Sequence, residues 1–315
     1  MIRTMSNRQS LSLIRRLGKD MRKHYALYLL ALPAVVMIFL LSYVPMYGVV
    51  IAFKDFRPVR GIWGSEWVGL EQFRRFFQSY QCTSILSNTI TLSLMNLLFT
   101  FPVPILLALM LNQVHRRKVK KGIQTLIYLP HFIATVVLVS MINVLFSPSM
   151  GLFGTLCRML GIANPPELMA MSSAFRPMFI GASIWQNAGW DSIIYIAALT
   201  SVDPALYEAA AVDGATKLQR VRHIDLPSLL PTMVTLLIMR AGSTMNVNFD
   251  RAYLLQNDLN ISVSEIISTY EYKLGIRQGQ YSYSAAIGLF NNLVNLCLLL
   301  IVNRTSKKLS GTGLW

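Results

Sequence analysis

Residues 203–227, DPALYEAAAVDGATKLQRVRHIDLP, decide how this chain is read. The stretch is polar and lies between two apolar runs, 178–200 and 229–246. Asp203 before Pro204 joins a good N-cap residue to a proline suited to the first helical position. An alanine-rich helix is therefore expected over 204–212. Asp213-Gly214 ends or bends it, because glycine accepts the left-handed conformation found at many helix ends. A second helical turn or two is expected over 216–222, stopped by Pro227, which opens the next apolar run. Ala209, Ala210 and Ala211 leave little side-chain bulk, so another protein's surface can approach closely. The stretch holds no nucleophile–base pair and no metal cluster. It reads as a loop built to dock into a partner.

Outside this loop the chain is suited to a bilayer. Apolar residues make up 54% and charged residues 14%, against about 25% charged in a soluble domain. A hydrocarbon core of ~30 Å needs roughly 20 mostly apolar residues to cross it. Runs of that kind occupy 25–53, 87–111, 126–146, 178–200, 229–246 and 284–302. The fold class expected is all-α, a polytopic membrane protein of six transmembrane helices. The first run is too long for a cleaved signal peptide, and no small-x-small site follows it.

Loop charge sets the orientation. Residues 1–25 carry seven Lys/Arg and one acid, and 112–122 carry five Lys/Arg and none. Arg304, Lys307 and Lys308 follow the last run with no acid among them. In a six-span layout these segments fall on one side with the Glu208 loop, and the positive-inside rule makes that side cytoplasmic. Both termini are then cytoplasmic. The net charge of +15 is mostly this orientation signal. Because the positives are divided among juxtamembrane segments, no nucleic-acid partner is expected. Cys82, Cys157 and Cys297 are odd in number and widely spaced, which favours unpaired thiols. The external segment 69–80 reads as an amphipathic interfacial helix, with Trp63 and Trp67 as aromatic anchors.

The complete loop pattern is Glu208-Ala209-Ala210, three residues, Gly214, nine residues, then Ile224-x-Leu226-Pro227. It resembles the cytoplasmic coupling loop of permease subunits in binding-protein-dependent ABC importers. The hydrophobic layout of 126–315 is similar to the sugar-permease branch, that of the larger maltose-permease subunit. Tyr128-Leu129-Pro130 fits that branch. Phe249 to Leu255, Gly279 to Leu289 and Leu314-Trp315 resemble permeases for oligosaccharides released from complex polysaccharides. Val221 departs from the pattern, since many relatives carry phenylalanine there.

The resemblance implies an accessory first helix (25–53), preceded by a basic leader (1–24). It also implies a permease core (87–302) with its coupling loop at 201–228 and a cytoplasmic tail (303–315). Glu208, Ala209, Ala210, Asp213, Gly214, Ile224, Leu226 and Pro227 would contact an ATPase. No G-x-x-x-x-G-K-[ST] phosphate loop occurs in the chain. The expectation is a transport subunit without enzymatic activity of its own and with no bound cofactor. ATP and magnesium would sit on two ATPase subunits, joined by a second permease subunit and an external substrate-binding lipoprotein.

Intramembrane polar groups mark a candidate pathway for the sugar. Gln186, Asn187 and Trp190 match positions that line the sugar site of the larger maltose-permease subunit. Ser243 and Thr244 match such positions in the next run, and so does Arg240, where a charge replaces a small hydroxyl. Asp191 and Arg240 fall at similar depth in consecutive antiparallel runs. They are expected to face the bundle interior and either pair or jointly line the pathway. An alternative is a secondary sugar transporter working alone, with Asp191 and Arg240 as an ion relay. Two features speak against it: the chain has no internal repeat, and its docking loop is complete.

Overall fold

Apolar helices long enough to cross a bilayer organise the computed structural model, which describes residues 23–311 and 313. The leader 1–24, except Lys23 and His24, and the terminal Leu314-Trp315 lie outside the described residues. The chain divides after Gly69 into two compact units.

In the first unit, helix α1 (Tyr25–Ile38) passes through a wide π-type turn at Phe39–Tyr43 and ends in a tight 3-10 segment, Tyr47–Phe53. Pro45 lies between the two turns. A proline cannot donate to the helical ladder, and such departures from α geometry accommodate the missing bond. Strands β1 (Lys54–Asp55) and β2 (Glu66–Trp67) then form a short antiparallel ribbon. Trp63 and Trp67 are both exposed, as interfacial anchors would be.

The second unit opens with α2 (Glu71–Gln78), the amphipathic helix expected from the sequence; it turns Phe76 inward and leaves Phe77 exposed. Helices α3 (Tyr80–Thr100) and α4 (Pro102–Asn112) together make one 33-residue span. Pro102 and Pro104 sit in the first turn of α4, where a missing donor costs least. Helix α5 (Arg117–Tyr128) and a 3-10 turn at Leu129–Phe132 lead to α6 (Thr135–Leu145). The expected straight run over 126–146 is instead bent by 97° at this point. Pro130 lies in that turn, and extended residues at Ile133 and Ala134 complete the break.

After α7 (Leu152–Met159), the 29-residue α8 (Ser172–Thr200) is the centre of the unit, packing against α3, α4, α5 and further helices. Gly189 makes one approach possible: a Cβ there would overlap the Ile127 carbonyl of α5. Helices α9 (Pro204–Val212) and α10 (Lys217–Arg220) form the polar loop. A π-type turn at Val221–Asp225 runs into α11 (Leu226–Ala241). Helices α12 (Phe249–Leu255) and α13 (Ile267–Tyr272) precede the 30-residue α14 (Tyr281–Ser310).

Two expectations need correction here. Pro227 does not stop a helix, because 217–241 is continuous; the π-type turn just ahead of Pro227 absorbs the lost donor. The fifth run does not extend to residue 246. Helix α11 ends at Ala241, so Ser243, Thr244 and Asn246 occupy the turn after it. The count of six spans also depends on the bends. Four helices among the described residues are long and apolar enough to cross alone, and six spans result if each bent pair counts as one.

The core is layered. One apolar cluster gathers Leu92 of α3, Leu138 and Ile142 of α6, Phe175 and Phe179 of α8, and Leu255. Another joins Ile105 and Leu109 of α4, Tyr195 and Leu199 of α8, and Leu229 of α11. Between these clusters α3 carries Ser93, Asn96 and Thr100, and α8 carries Ser183, Asn187 and Asp191. That polar layer is the candidate site.

Candidate functional site

The polar layer begins with two stripes at helical spacing. Ser93, Asn96 and Thr100 follow one face of α3, and Ser183, Asn187 and Asp191 follow one face of α8. Arg240 closes the layer from α11. Its Nη2 donates to Asp191 Oδ2 in a direct ion pair, and its Nη1 donates to Thr100 Oγ1 at 3.5 Å. Phe101 lies 5.9 Å from the guanidinium, within cation–π range. The similar depth inferred from sequence is thus realised as a pair. Asp191 and Arg240 keep 30% and 32% of their side-chain surface exposed, so the pair borders open space rather than packed core.

That space consists of two adjoining cavities of about 310 and 180 Å³, sharing Asn96, Thr100, Ser183, Asn187 and Arg240. The larger also meets Ser243, Thr244, Asn246, Asn248 and Arg251. Thr244 and Ser243 return their hydroxyl protons to the Arg240 carbonyl at 2.8 and 3.2 Å, leaving oxygen lone pairs at the wall. Asn246 accepts from Asn291 and Asn295 of α14 at 2.8 and 3.1 Å. Ser93 Oγ and Asn96 Oδ1 are buried with no hydrogen-bond partner among the described residues.

Of the pathway residues read from sequence, Asn187, Asp191, Arg240, Ser243 and Thr244 meet around these cavities. Gln186 and Trp190 do not. Gln186 is buried behind the wall, donating to the Ile133 carbonyl at 2.7 Å and accepting from Arg251 at 2.6 Å. Trp190 lines neither cavity. It stacks on His131 at 4.5 Å and meets Phe132 edge-on, while a ring nitrogen of His131 sits 3.2 Å from Asn187 Oδ1. Gln186 and Trp190 each precede a layer residue, Asn187 and Asp191, by one position, and adjacent positions on one helix do not share a face. Residues missed from sequence are Ser93, Asn96, Thr100, Ser183, Asn248 and Arg251. The spacing of the first three in an otherwise apolar run was a readable signal; Arg251, which lies after the fifth run, gave none.

In the loop at 201–228 the N-cap at Asp203 and the glycine turn at Gly214 are built as the sequence predicts. Asp203 accepts from Ala205 N at 2.9 Å, capping α9 over Pro204. At the other end Gly214 adopts φ +71°, with Ala215 N bonded to Ala210 O and Gly214 N to Ala211 O. These are the two bonds of a Schellman stop. Thr216 and Gln219 then form a reciprocal capping box for α10. Glu208, Ala209, Asp213, Gly214 and Pro227 are exposed, whereas Ala210, Ile224 and Leu226 are half-buried. Val221, the departure from the family pattern, packs with Leu226 against the α4–α8 cluster. Leu206, Val212 and Leu218 stand in the open, an apolar edge suited to a protein partner.

One residue ties the loop to the bundle. Asp225 is fully buried and accepts from Tyr207 of α9 at 2.6 Å and from Asn112 and Gln113 at the end of α4, both at 3.3 Å. Burial and the bond to Asp225 push the Tyr207 hydroxyl up to about 12, so it remains a donor. Asp225 thus bonds α9 to the end of α4 just ahead of the start of α11.

Residues 100–311 match the family described as binding-protein-dependent transport system inner membrane component. The chain is 46% identical over 289 residues to the polygalacturonan/rhamnogalacturonan transport system permease protein YteP of Bacillus subtilis, covering 92% of this chain and 90% of that one. It is 43% identical over 291 residues to protein LplB of the same organism, covering 92% and 91%. A chain in the crystal structure of a bacterial ABC transporter that imports the acidic polysaccharide alginate superposes with a TM-score of 0.86 at 39% identity, covering 94% of this chain and 99% of that one. A chain in the same kind of transporter, in complex with an alginate pentasaccharide-bound periplasmic protein, also gives 0.86, at 38% identity and covering 95% and 100%. This chain belongs to the binding-protein-dependent transport family and is a membrane permease subunit of an ABC importer.

Proposed function

We propose that this chain carries an oligosaccharide derived from an acidic polysaccharide across the cytoplasmic membrane, as one of two permease subunits. An external binding protein delivers the sugar, and two ATPase subunits holding ATP and magnesium drive its passage. The relatives support the sugar class: one is a permease for polygalacturonan and rhamnogalacturonan, and another transporter imports alginate. The observation that carries the reading is the loop itself. A rigidly capped α9 with exposed Ala209 and an open apolar edge is tied through Asp225 to the span ends. ATPase closure moves α9, and the Asp225 contacts transmit that movement to α4 and α11. The two permease subunits then rock around the polar layer at Asp191 and Arg240. Both termini and the loop face the cytoplasm, following the basic loops.

The test is a cross-link. Cysteine placed at Ala209, with Cys82, Cys157 and Cys297 replaced by serine, should form a disulfide with a cysteine in the ATPase surface of the assembled complex. The yield should change when ATP is bound. Cross-linking only to lipid-side or external partners would refute the placement of the loop.

A further inference from the structure

Arg251 is a buried cation without an anion. Its side chain is 1% exposed, and among the described residues no ion pair includes it. Nη2 is held by the neutral amide oxygen of Gln186 at 2.6 Å, and Phe179 lies 5.3 Å beneath the guanidinium. Nε is buried with no partner at all. Burial lowers the guanidinium to about 10, still far above neutrality, so the charge persists. An uncompensated buried charge is costly, and proteins ordinarily pair it. Yet Arg251 lines the larger cavity, beside Asn246, Asn248 and Thr244.

Arg240 on the same cavity is different, because Asp191 already neutralises it. The polar layer therefore holds two cations and one anion, and the surplus positive charge is that of Arg251. Gln186 explains why the surplus stays in place. Its own amide nitrogen is anchored on the Ile133 carbonyl, so its oxygen fixes one arm of the guanidinium and leaves Nε free.

We propose that Arg251 is the carboxylate-binding residue of the pathway, its guanidinium pairing with a uronate unit of the passing oligosaccharide. This rests on the acidic-oligosaccharide reading above and assigns the discrimination of charge to one side chain. The planar fork suits a carboxylate, which it can engage through two parallel hydrogen bonds. Gln186 is a positioning residue in this scheme and does not touch the sugar. Arg240 serves the pair with Asp191 and contributes little to charge selection.

The experiment uses the whole transporter in proteoliposomes, with the binding protein loaded beforehand with either a galacturonate oligosaccharide or its methyl ester. Wild-type protein should move the acid faster than the ester. Arg251→Gln should slow uptake of the acid by about thirtyfold or more, the scale expected for deleting one partner of a desolvated charge pair. Uptake of the ester should stay within about twofold, since the ester carries no charge for Arg251 to bind. Arg251→Lys, which keeps the charge but not the fork, should recover part of the acid uptake. An equal loss for acid and ester in Arg251→Gln would overturn the proposal. If that variant does not assemble, equal rates for acid and ester in the wild type would overturn it. Wild-type transport of neither sugar would instead refute the sugar-importer reading, and this proposal with it.

Discussion

Gly214→Val is expected to reduce ATP-driven uptake at least about tenfold while the membrane bundle stays folded. The reason is local. Gly214 sits at φ +71°, and a Cβ there meets nothing within 4 Å, so the substitution creates no clash. What it creates is backbone strain, about 1–2 kcal/mol for an L-residue in the left-handed region and more for a β-branched one. Relieving the strain undoes the Schellman bonds at Ala210 and Ala211 and re-aims α9 relative to α10. ATP hydrolysis should persist without matching transport. Ala209→Trp should give the same uncoupling by a different route, because Ala209 is exposed and its bulk can collide only with a partner. The measurement is sugar uptake per ATP hydrolysed, alongside thermal unfolding of the purified complex. Unchanged uptake in Gly214→Val would contradict the coupling role.

The second large effect concerns the pair at the polar layer. Asp191→Asn leaves Arg240 charged in a half-buried site, beside Thr100 and Phe101 and with no anion opposite it. Breaking a fully buried pair costs about 3–5 kcal/mol. The 30–32% exposure here admits water, and solvent screening reduces the cost to a fraction of that. Arg240→Gln should be milder for stability, since an exposed edge lets Asp191 be hydrated. Each variant should impair transport more than assembly. The double variant Asp191→Asn/Arg240→Gln should recover stability relative to Asp191→Asn alone, because no unpaired charge remains. Strictly additive losses across the four proteins would show that the two side chains act independently.

Much of this was legible in the sequence because membrane helices advertise themselves by composition, and helix caps by residue type. Asp203-Pro204 and Gly214 are each local devices whose geometry follows from a few adjacent residues. The Asp191–Arg240 pair was legible for a similar reason: two charges at matched depth in neighbouring spans have few alternatives to each other. The 97° break after Pro130 was harder to foresee, because a proline in a membrane helix can be accommodated or can end it, according to its neighbours. Depth along a helix also does not give direction around it. Gln186 and Asn187 are adjacent, yet one is fixed behind the wall and the other borders the cavity. Arg251 was invisible for a third reason. It lies on a short helix beyond the fifth run, and only the fold returns it to the polar layer.

The central claim is that this chain moves sugar only as a part of an ATP-driven assembly. Reconstitution of uptake in proteoliposomes tests it most directly, comparing the purified chain alone with the chain plus a second permease, two ATPases and the binding protein. The account expects no ATP hydrolysis and no uptake from the chain alone, and both activities from the assembly, with uptake insensitive to collapse of ion gradients. Ion-driven sugar uptake by the isolated chain would contradict it.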